Sequence, residues 1–448
     1  MADASKSEAI STKCQRIADL AREDPQRVFT SLAHFIDLDW LHEAHRRTRK
    51  DGALGVDGQG AEEYAANLDA NLRSLLDRAK SGQYRAPPVK RVHIPKGKGA
   101  ETRPIGIPSF EDKVLQRAVA MVLECVYEQD FLPCSHGFRP GRSALGASQA
   151  VRDVLASWKG GLVVELDIQK FFDTLDHKQL REFLGLRIRD GVLLRLIGKW
   201  LNAGVFEAGA VTRSELGTPQ GGVISPLLAN IYLHYVLDRW FADEVVPRLQ
   251  GAVQLVRYAD DAVIVCRSER DAERLMEVLP KRFAKYGLKL HPDKTRLVRF
   301  ERPAAQQAVR QADSDDDEPG SFSFLGFTYY WGRAREGYWV VQRKTAKARL
   351  ARAVHAVWTW CKAHCHERLA EQHATLSNKL RGHYAYYGVT GNYRSLKRFY
   401  FEVGKSWRRW LNRRSGHGHR TWQWFNQLLL RLPLPAPRIV HTAMRPHP

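Results

Sequence analysis

Three aspartates stand where they could hold cations. Asp167 closes the apolar run Leu162-Val-Val-Glu-Leu-Asp-Ile168. Asp260 and Asp261 sit between Val253-Gln-Leu-Val-Arg-Tyr258 and Ala262-Val-Ile-Val-Cys266. Adjacent carboxylates alone say little, because Asp313-Ser-Asp-Asp-Asp-Glu-Pro-Gly320 has the composition of a solvated loop. The apolar flanks set the first group apart. They force Asp260 and Asp261 to the rim of a core, where unpaired like charges are costly. Divalent cations relieve that cost. Three carboxylates on neighbouring strands suit two Mg²⁺ ions about 3.5–4 Å apart, the spacing for in-line phosphoryl displacement. Mg²⁺ takes few carboxylates and completes its shell with water and substrate phosphates.

The elements that must carry these residues follow from the hydrophobic period. Alternation along 162–168 predicts a strand with Val164, Leu166 and Ile168 on one face and Val163, Glu165 and Asp167 on the other. Two apolar runs around Ala259-Asp-Asp261 predict a hairpin with an acidic turn. Ser225-Pro226 predicts a helix start, with Ser as cap and Pro in the first helical position. A helix over 271–286 and a strand from Leu288 follow. Upstream, Val89–Pro95 and Arg103–Pro108 read as two strands joined by Lys96-Gly-Lys-Gly99. Residues 1 to about 80 carry apolar residues every three or four and read as helical. So do 344–369, 376–387 and 396–412.

The chain of 448 residues is 44% hydrophobic and 10% aromatic, which excludes wholesale disorder. No apolar run reaches the ~18 residues of a membrane span, and the first residues lack the apolar stretch of a secretory leader. Six cysteines show no disulfide framework, so a reduced, cytoplasmic protein is expected. Cys361-Lys-Ala-His-Cys365-His366 lacks the second ligand pair of a zinc site and reads as buried thiols. The net charge is +21, and +19 of it lies in residues 331–448, which also hold eight of the twelve Trp. Cations interleaved with aromatics suit a nucleic acid, displacing counterions and stacking on bases. The competing explanation is a helical domain with a solvated basic face.

These motifs together resemble those of reverse transcriptases. Tyr258-Ala-Asp-Asp261 is similar to the family's catalytic box. Asp167-Ile-Gln-Lys-Phe-Phe-Asp173 resembles the first palm motif, and Gly217-Thr-Pro-Gln-Gly-Gly-Val-Ile-Ser-Pro-Leu-Leu-Ala-Asn230 the second. Gly287-Leu-Lys-Leu-His-Pro-Asp-Lys-Thr295 and Phe324-Leu-Gly-Phe327 resemble the motifs that follow. Arg103-Pro-Ile-Gly-Ile-Pro108 and Gly137-Phe-Arg-Pro-Gly-Arg-Ser143 extend the likeness into the fingers. The wording is closest to group II intron-encoded reverse transcriptase/maturases, and Leu380-Arg-Gly-His-Tyr-Ala-Tyr-Tyr387 resembles their thumb/maturase signature.

The resemblance implies an α+β right-hand polymerase. Its parts would be a helical N-terminal extension (1–80), fingers and palm (81–335, with an acidic insertion at 301–320), a thumb/maturase domain (336–412) and a basic C-terminal segment (413–448). It implies RNA-directed DNA synthesis from dNTPs with two Mg²⁺, on an RNA template with a DNA primer or target DNA. Structured intron RNA is the further partner, and membranes are not. Asp167, Asp260, Asp261 and the backbone carbonyl of Ile168 would bind metal. Phe172 would be the steric gate against a ribose 2′-hydroxyl, and Gln220 would lie against the incoming nucleotide. Arg103 and a loop lysine, Lys96 or Lys98, would clamp the triphosphate. Lys294 would protonate the leaving pyrophosphate, and Tyr258 would support the primer terminus or simply pack beneath the hairpin. Arg381, Arg408, Arg409, Arg413 and Arg414 would bind primer or RNA. No HNH-type endonuclease is expected in the tail. Two rivals keep part of this picture: a reverse transcriptase serving phage defence or another host role, and a splicing factor that binds RNA without polymerising.

Overall fold

The computed structural model describes residues 2–95, 102–207, 210–212, 217, 221–303, 320–334, 336–414 and 420–442. Lys96, Lys98, Gln220 and most of the acidic 301–320 segment lie outside them. Helices and sheets are mixed, so the chain is α+β. It divides into two compact units, Met1–Ser143 with Leu166–Ile264 and Arg270–Arg296, and Ala144–Glu165 with Val265–Glu269 and Leu297–Pro448.

The first unit is organised around the helix Phe110–Asp130, which Ser109 caps through its side chain. Helices Ala2–Glu23 and Leu38–Arg47 pack on it. Trp40, fully buried, donates its indole N–H to the Ala118 carbonyl at 2.9 Å. The Asp190 carboxylate accepts from the backbone N–H groups of Leu32, Ala33, Val192 and Leu193. One side chain thus caps the helix Gly191–Leu201 and fixes an N-terminal turn. A four-stranded sheet runs in the order Thr102–Ile107, Val89–Pro95, Val205–Glu207, Ala210–Thr212. Its first two strands are the expected antiparallel pair, with Arg103 opposite Ile94.

A second four-stranded sheet runs in the order Val253–Tyr258, Asp261–Cys266, Gly160–Leu166, Arg296–Glu301. The expected hairpin is present, with only Ala259 and Asp260 between its strands. Val163 and Val164, on opposite faces, are both fully buried, so the strand is covered on both sides. One detail differs from expectation. The strand after Leu288 begins only at Arg296. Residues 289–291 instead clamp the end of the Asp167 strand: Gln169 N–H donates to Lys289, and His291 N–H to the Asp167 carbonyl.

The helix after the second motif spans Ser225–Leu233 and has Pro226 in its first turn. Ile224, not Ser225, holds the cap position. Its N–H donates to the Gln116 side chain at 3.3 Å. Beyond Leu233 the backbone widens into π-helical turns at His234–Asp238 and Phe241–Val245.

The second unit holds a three-stranded sheet, Trp339–Thr345, Phe327–Arg333, Phe322–Phe324 in that order. Four helices follow: Lys347–Ala363, Leu369–Tyr387, Tyr393–Leu411 and Trp422–Arg431. They bury Leu376, Leu380, Leu396, Phe399, Val403, Trp407 and Phe425 in one core. Trp407 donates its indole N–H to Gln372. The last helix went unpredicted, because its apolar face is short. Cys361 and Cys365 are buried as expected, and burial pushes the Cys361 thiol up to about 12.

Candidate active site

The hairpin turn is strained in a defined way. Ala259 takes φ +56°, a left-handed conformation that costs a residue with a Cβ about 1 kcal/mol or more. That twist aims Asp260 and Asp261 off the end of the hairpin. Asp260 is half-buried and Asp261 exposed. Burial raises the Asp260 carboxyl above its ordinary value, and the charge of Asp167 raises it further. Its own backbone N–H and the cations of Arg103 and Arg257 act the other way. Asp167 and Arg103 therefore lie within electrostatic reach of Asp260.

Asp167 has a cationic partner of its own. Lys294 Nζ lies 3.3 Å from its Oδ2, with the two side chains 59% and 33% exposed. The backbone holds the aspartate in place: its carbonyl accepts from His291, and its N–H donates to Thr295 Oγ1 at 3.4 Å. Ile168 is buried and bridges to Leu290. Among the described residues, no three His, Cys, Asp or Glu groups stand together as a finished metal cage. The donor set still fits hard cations: carboxylates only, one of them half-buried beside like charge, on an open rim where water and phosphate can complete the shell.

Phe172 lies in the short helix Phe171–Thr174, half-buried, edge-on to Phe171 with ring centroids 5.4 Å apart. Gly217, which opens the second motif, presses on this helix. A Cβ there would stand 2.9 Å from the Asp173 carbonyl oxygen and 3.0 Å from that of Phe172, and φ is +87°. The chain accordingly needs glycine at 217. Four residues on, Gly221 meets the Gly106 carbonyl as tightly, with a built Cβ at 2.5 Å. Gly217 thus abuts Phe172 and Gly221 the strand of Arg103, while Gln220 lies outside the described residues. Tyr258 is half-buried, its ring 6.2 Å from that of Phe138.

The basic tail is sorted by packing. Arg408 lies 4.0 Å over the Trp422 ring and donates to the Arg420 carbonyl. Arg413 lies over Trp410, and Arg414 donates to the His366 carbonyl. Arg409 is exposed, and exposed Arg381 donates to Asn378. The helix Tyr393–Leu411 presents an exposed row that ends at Arg409; its other members, Tyr393, Arg394, Lys397, Arg398, Phe401 and Lys405, were missed by sequence reasoning. Their spacing of three or four was the available signal. Two other residues were missed. Arg257 lies next to the catalytic box, in an apolar strand where a cation is out of place. Asp112 is buried in the Phe110–Asp130 helix and accepts from Tyr84 and Gln116.

The reverse transcriptase (RNA-dependent DNA polymerase) family matches residues 94–329, which span every one of these carboxylates. The chain belongs to that family. It is of the group II intron reverse transcriptase/maturase kind, and RNA-directed DNA polymerase activity and divalent-metal dependence go with membership. Protein YkfC of Escherichia coli is 34% identical over 325 residues, covering 64% of this chain and 84% of that protein. Group II intron-encoded protein LtrA of Lactococcus lactis is 30% identical over 316 residues, 68% of this chain. The match takes in about half of that relative's length, 52%. An uncharacterised 91 kDa protein in a cob intron of Schizosaccharomyces pombe is 40% identical over 181 residues. No helix among the described residues is long and apolar enough to cross a membrane.

Proposed function

We propose that this reverse transcriptase copies RNA into DNA as a right hand of fingers, palm and thumb, and assists group II intron splicing and mobility. Asp167, Asp260, Asp261 and the Ile168 carbonyl hold two Mg²⁺. Bound there, the ions supply activation of the primer 3′-hydroxyl and charge neutralisation on the pyrophosphate. The remaining work falls to the chain. Arg103 grips the triphosphate through its planar fork, with Lys96 or Lys98 as a point charge beside it. Phe172 fills the space a 2′-hydroxyl needs, and Gln220 lies against the nucleotide. Lys294 delivers a proton to the leaving group. Tyr258 supports the primer end. The basic second unit holds template, primer and intron RNA through phosphate contacts and shape.

The observation that carries this is the meeting of Asp260 with Asp167 and Arg103, and of Asp167 with Lys294, in one unit. Asp260→Ala should abolish dNTP incorporation on poly(rA)/oligo(dT) and leave RNA binding largely intact. Full incorporation by that variant sinks the assignment. A splicing factor that only binds RNA has no use for a raised, half-buried aspartate beside a second carboxylate.

A further inference from the structure

The side chain of Arg257 is fully buried, as is that of Asp238, with which it forms an ion pair. All five of its N–H donors are used. Nε donates to Asp238 Oδ1 at 2.8 Å and Nη2 to Oδ2. Nη2 also donates to Ser135 Oγ at 2.8 Å. Nη1 donates to Asn230 Oδ1 at 3.0 Å and to the Ala259 carbonyl at 2.9 Å. The backbone of Arg257 is held as well, its N–H by Cys134 and its carbonyl by the N–H of His136.

The last side-chain contact is the one that matters for chemistry. The Ala259 carbonyl belongs to the peptide whose N–H is that of Asp260. A peptide unit is planar, so fixing its oxygen fixes the direction in which the chain enters Asp260. Ala259 is the residue in the left-handed conformation, which persists only where its surroundings enforce it. A second brace comes from the other side. Asn230, oriented by Arg257, donates to the Gly137 carbonyl at 2.6 Å. Gly137 in turn abuts the turn so closely that a Cβ there would lie 2.3 Å from the Ala259 nitrogen.

We propose that Arg257, held by Asp238 and Asn230, is a positioning residue that locks the Ala259–Asp260 turn in the conformation needed for metal binding and nucleotidyl transfer. The inference rests on the polymerase reading and deepens it. Three separate segments meet on this one guanidinium: Ser135 just before Gly137–Ser143, Asn230 at the end of the second motif, and Asp238 on the π-helical turn. A buried ion pair is often replaceable by apolar residues without loss of stability. Its presence beside the catalytic turn is therefore a matter of geometry.

The test separates geometry from folding. Arg257→Leu with Asp238→Leu removes both charges and keeps apolar volume, but nothing then donates to Ala259. The full chain is compared with wild type for melting temperature, for KM toward dNTP and kcat on poly(rA)/oligo(dT), and for Mn²⁺ affinity. Affinity is read from the free-ion EPR signal in a complex with dideoxy-terminated primer, template and dNTP. The melting temperature should stay within about 5 °C and KM within about twofold, because packing and the nucleotide contacts survive. The kcat should fall about 100-fold, the cost of a ~1 Å misplacement. Mn²⁺ binding should weaken about tenfold by loss of preorganisation. Wild-type kcat and Mn²⁺ affinity in a folded double variant overturn the proposal. Asn230→Ala, which leaves the ion pair whole, decides if the double variant does not fold. It should weaken Mn²⁺ binding about fivefold through the same loss of preorganisation, and unchanged binding refutes the clamp. Failure of the polymerase reading looks different: wild type itself would incorporate no dNTP.

Discussion

Neutralising the exposed face of the Tyr393–Leu411 helix should weaken RNA binding far more than neutralising the arginines packed beside it. From Arg394 to Arg409 the face runs about 22 Å, at 1.5 Å per residue. A duplex presents a phosphate charge about every 1.7 Å of axis, so each cation can find one. Phe401 and Tyr393, 58% and 49% exposed, sit among these cations, with Lys397 5.8 Å over the Phe401 ring. Replacing Arg394, Arg398, Lys405 and Arg409 by Gln removes four contacts. At about 0.7–0.9 per contact, the log–log salt slope should flatten by about 3 units. Arg408, Arg413 and Arg414 changed to Gln should flatten it by about 1 unit at most, since those side chains already have ring or carbonyl partners. That triple variant instead loses ring packing worth ~2 kcal/mol, a fall of ~4–8 °C in melting temperature. Filter binding of a structured RNA from 50 to 400 mM salt, with melting curves alongside, reads both quantities. A slope unchanged in the quadruple variant, or a larger change in the triple, refutes the assignment of the binding face.

Phe172→Ala should lower the discrimination between dNTP and rNTP on a primed RNA template; an unchanged ratio means the ring is core packing and nothing more. Lys294→Arg keeps a cation near Asp167 but cannot release a proton, so kcat should fall about 10–100-fold with little change in KM. Wild-type kcat in that variant would reduce Lys294 to a counter-charge. Burial holds the Asp112 carboxyl up to about 6, despite hydrogen bonds from Tyr84 and Gln116 that lower it. The folded chain then binds this proton more tightly than the unfolded chain does, so the group adds stability as pH falls from 6 toward 4 and withdraws it above 6. Asp112→Asn should remove that slope, on the order of 2–3 kcal/mol across the window, in urea melts at stepped pH. An unaltered slope would mean that the carboxyl titrates normally.

Much of the site was legible because its chemistry is written in short local runs. Apolar runs on both sides of Ala259-Asp-Asp261 place two carboxylates at a hairpin end whatever the rest of the chain does. Asp167 needs only its own strand. The resemblance implied a proton-donor role for Lys294, but its contact with Asp167 was not foreseen. What was not legible depends on distant pairs. Nothing local tells Arg257 that Ser135, Asn230 and Asp238 will surround it, for those partners lie 122, 27 and 19 residues away. The tail shows the same divide. Its charge excess was plain, but the local sequence did not tell that Trp422 would half-bury Arg408 while Arg413, 5.2 Å from the Trp410 ring, stays exposed. The strand expected from Leu288 failed for a related reason: 289–291 pair with the end of the Asp167 strand and stop there.

Asp167 and Asp260 are not equivalent, and the difference follows from position. Asp167, at a strand end with Lys294 beside it, is partly solvated and already balanced. An ion pair so exposed contributes ~0–1 kcal/mol and opens easily, so Lys294 is not committed to holding the fold. Asp260 is more deeply placed, and burial and Asp167 both oppose its charge. Arg103 and Arg257 offset this in opposite ways. Arg257 is locked by five hydrogen bonds and contributes a fixed field and a fixed backbone. Arg103 is exposed on the strand Thr102–Ile107, where solvent screens its charge. The aspartate thus has one buried, fixed cation and one exposed cation within electrostatic reach.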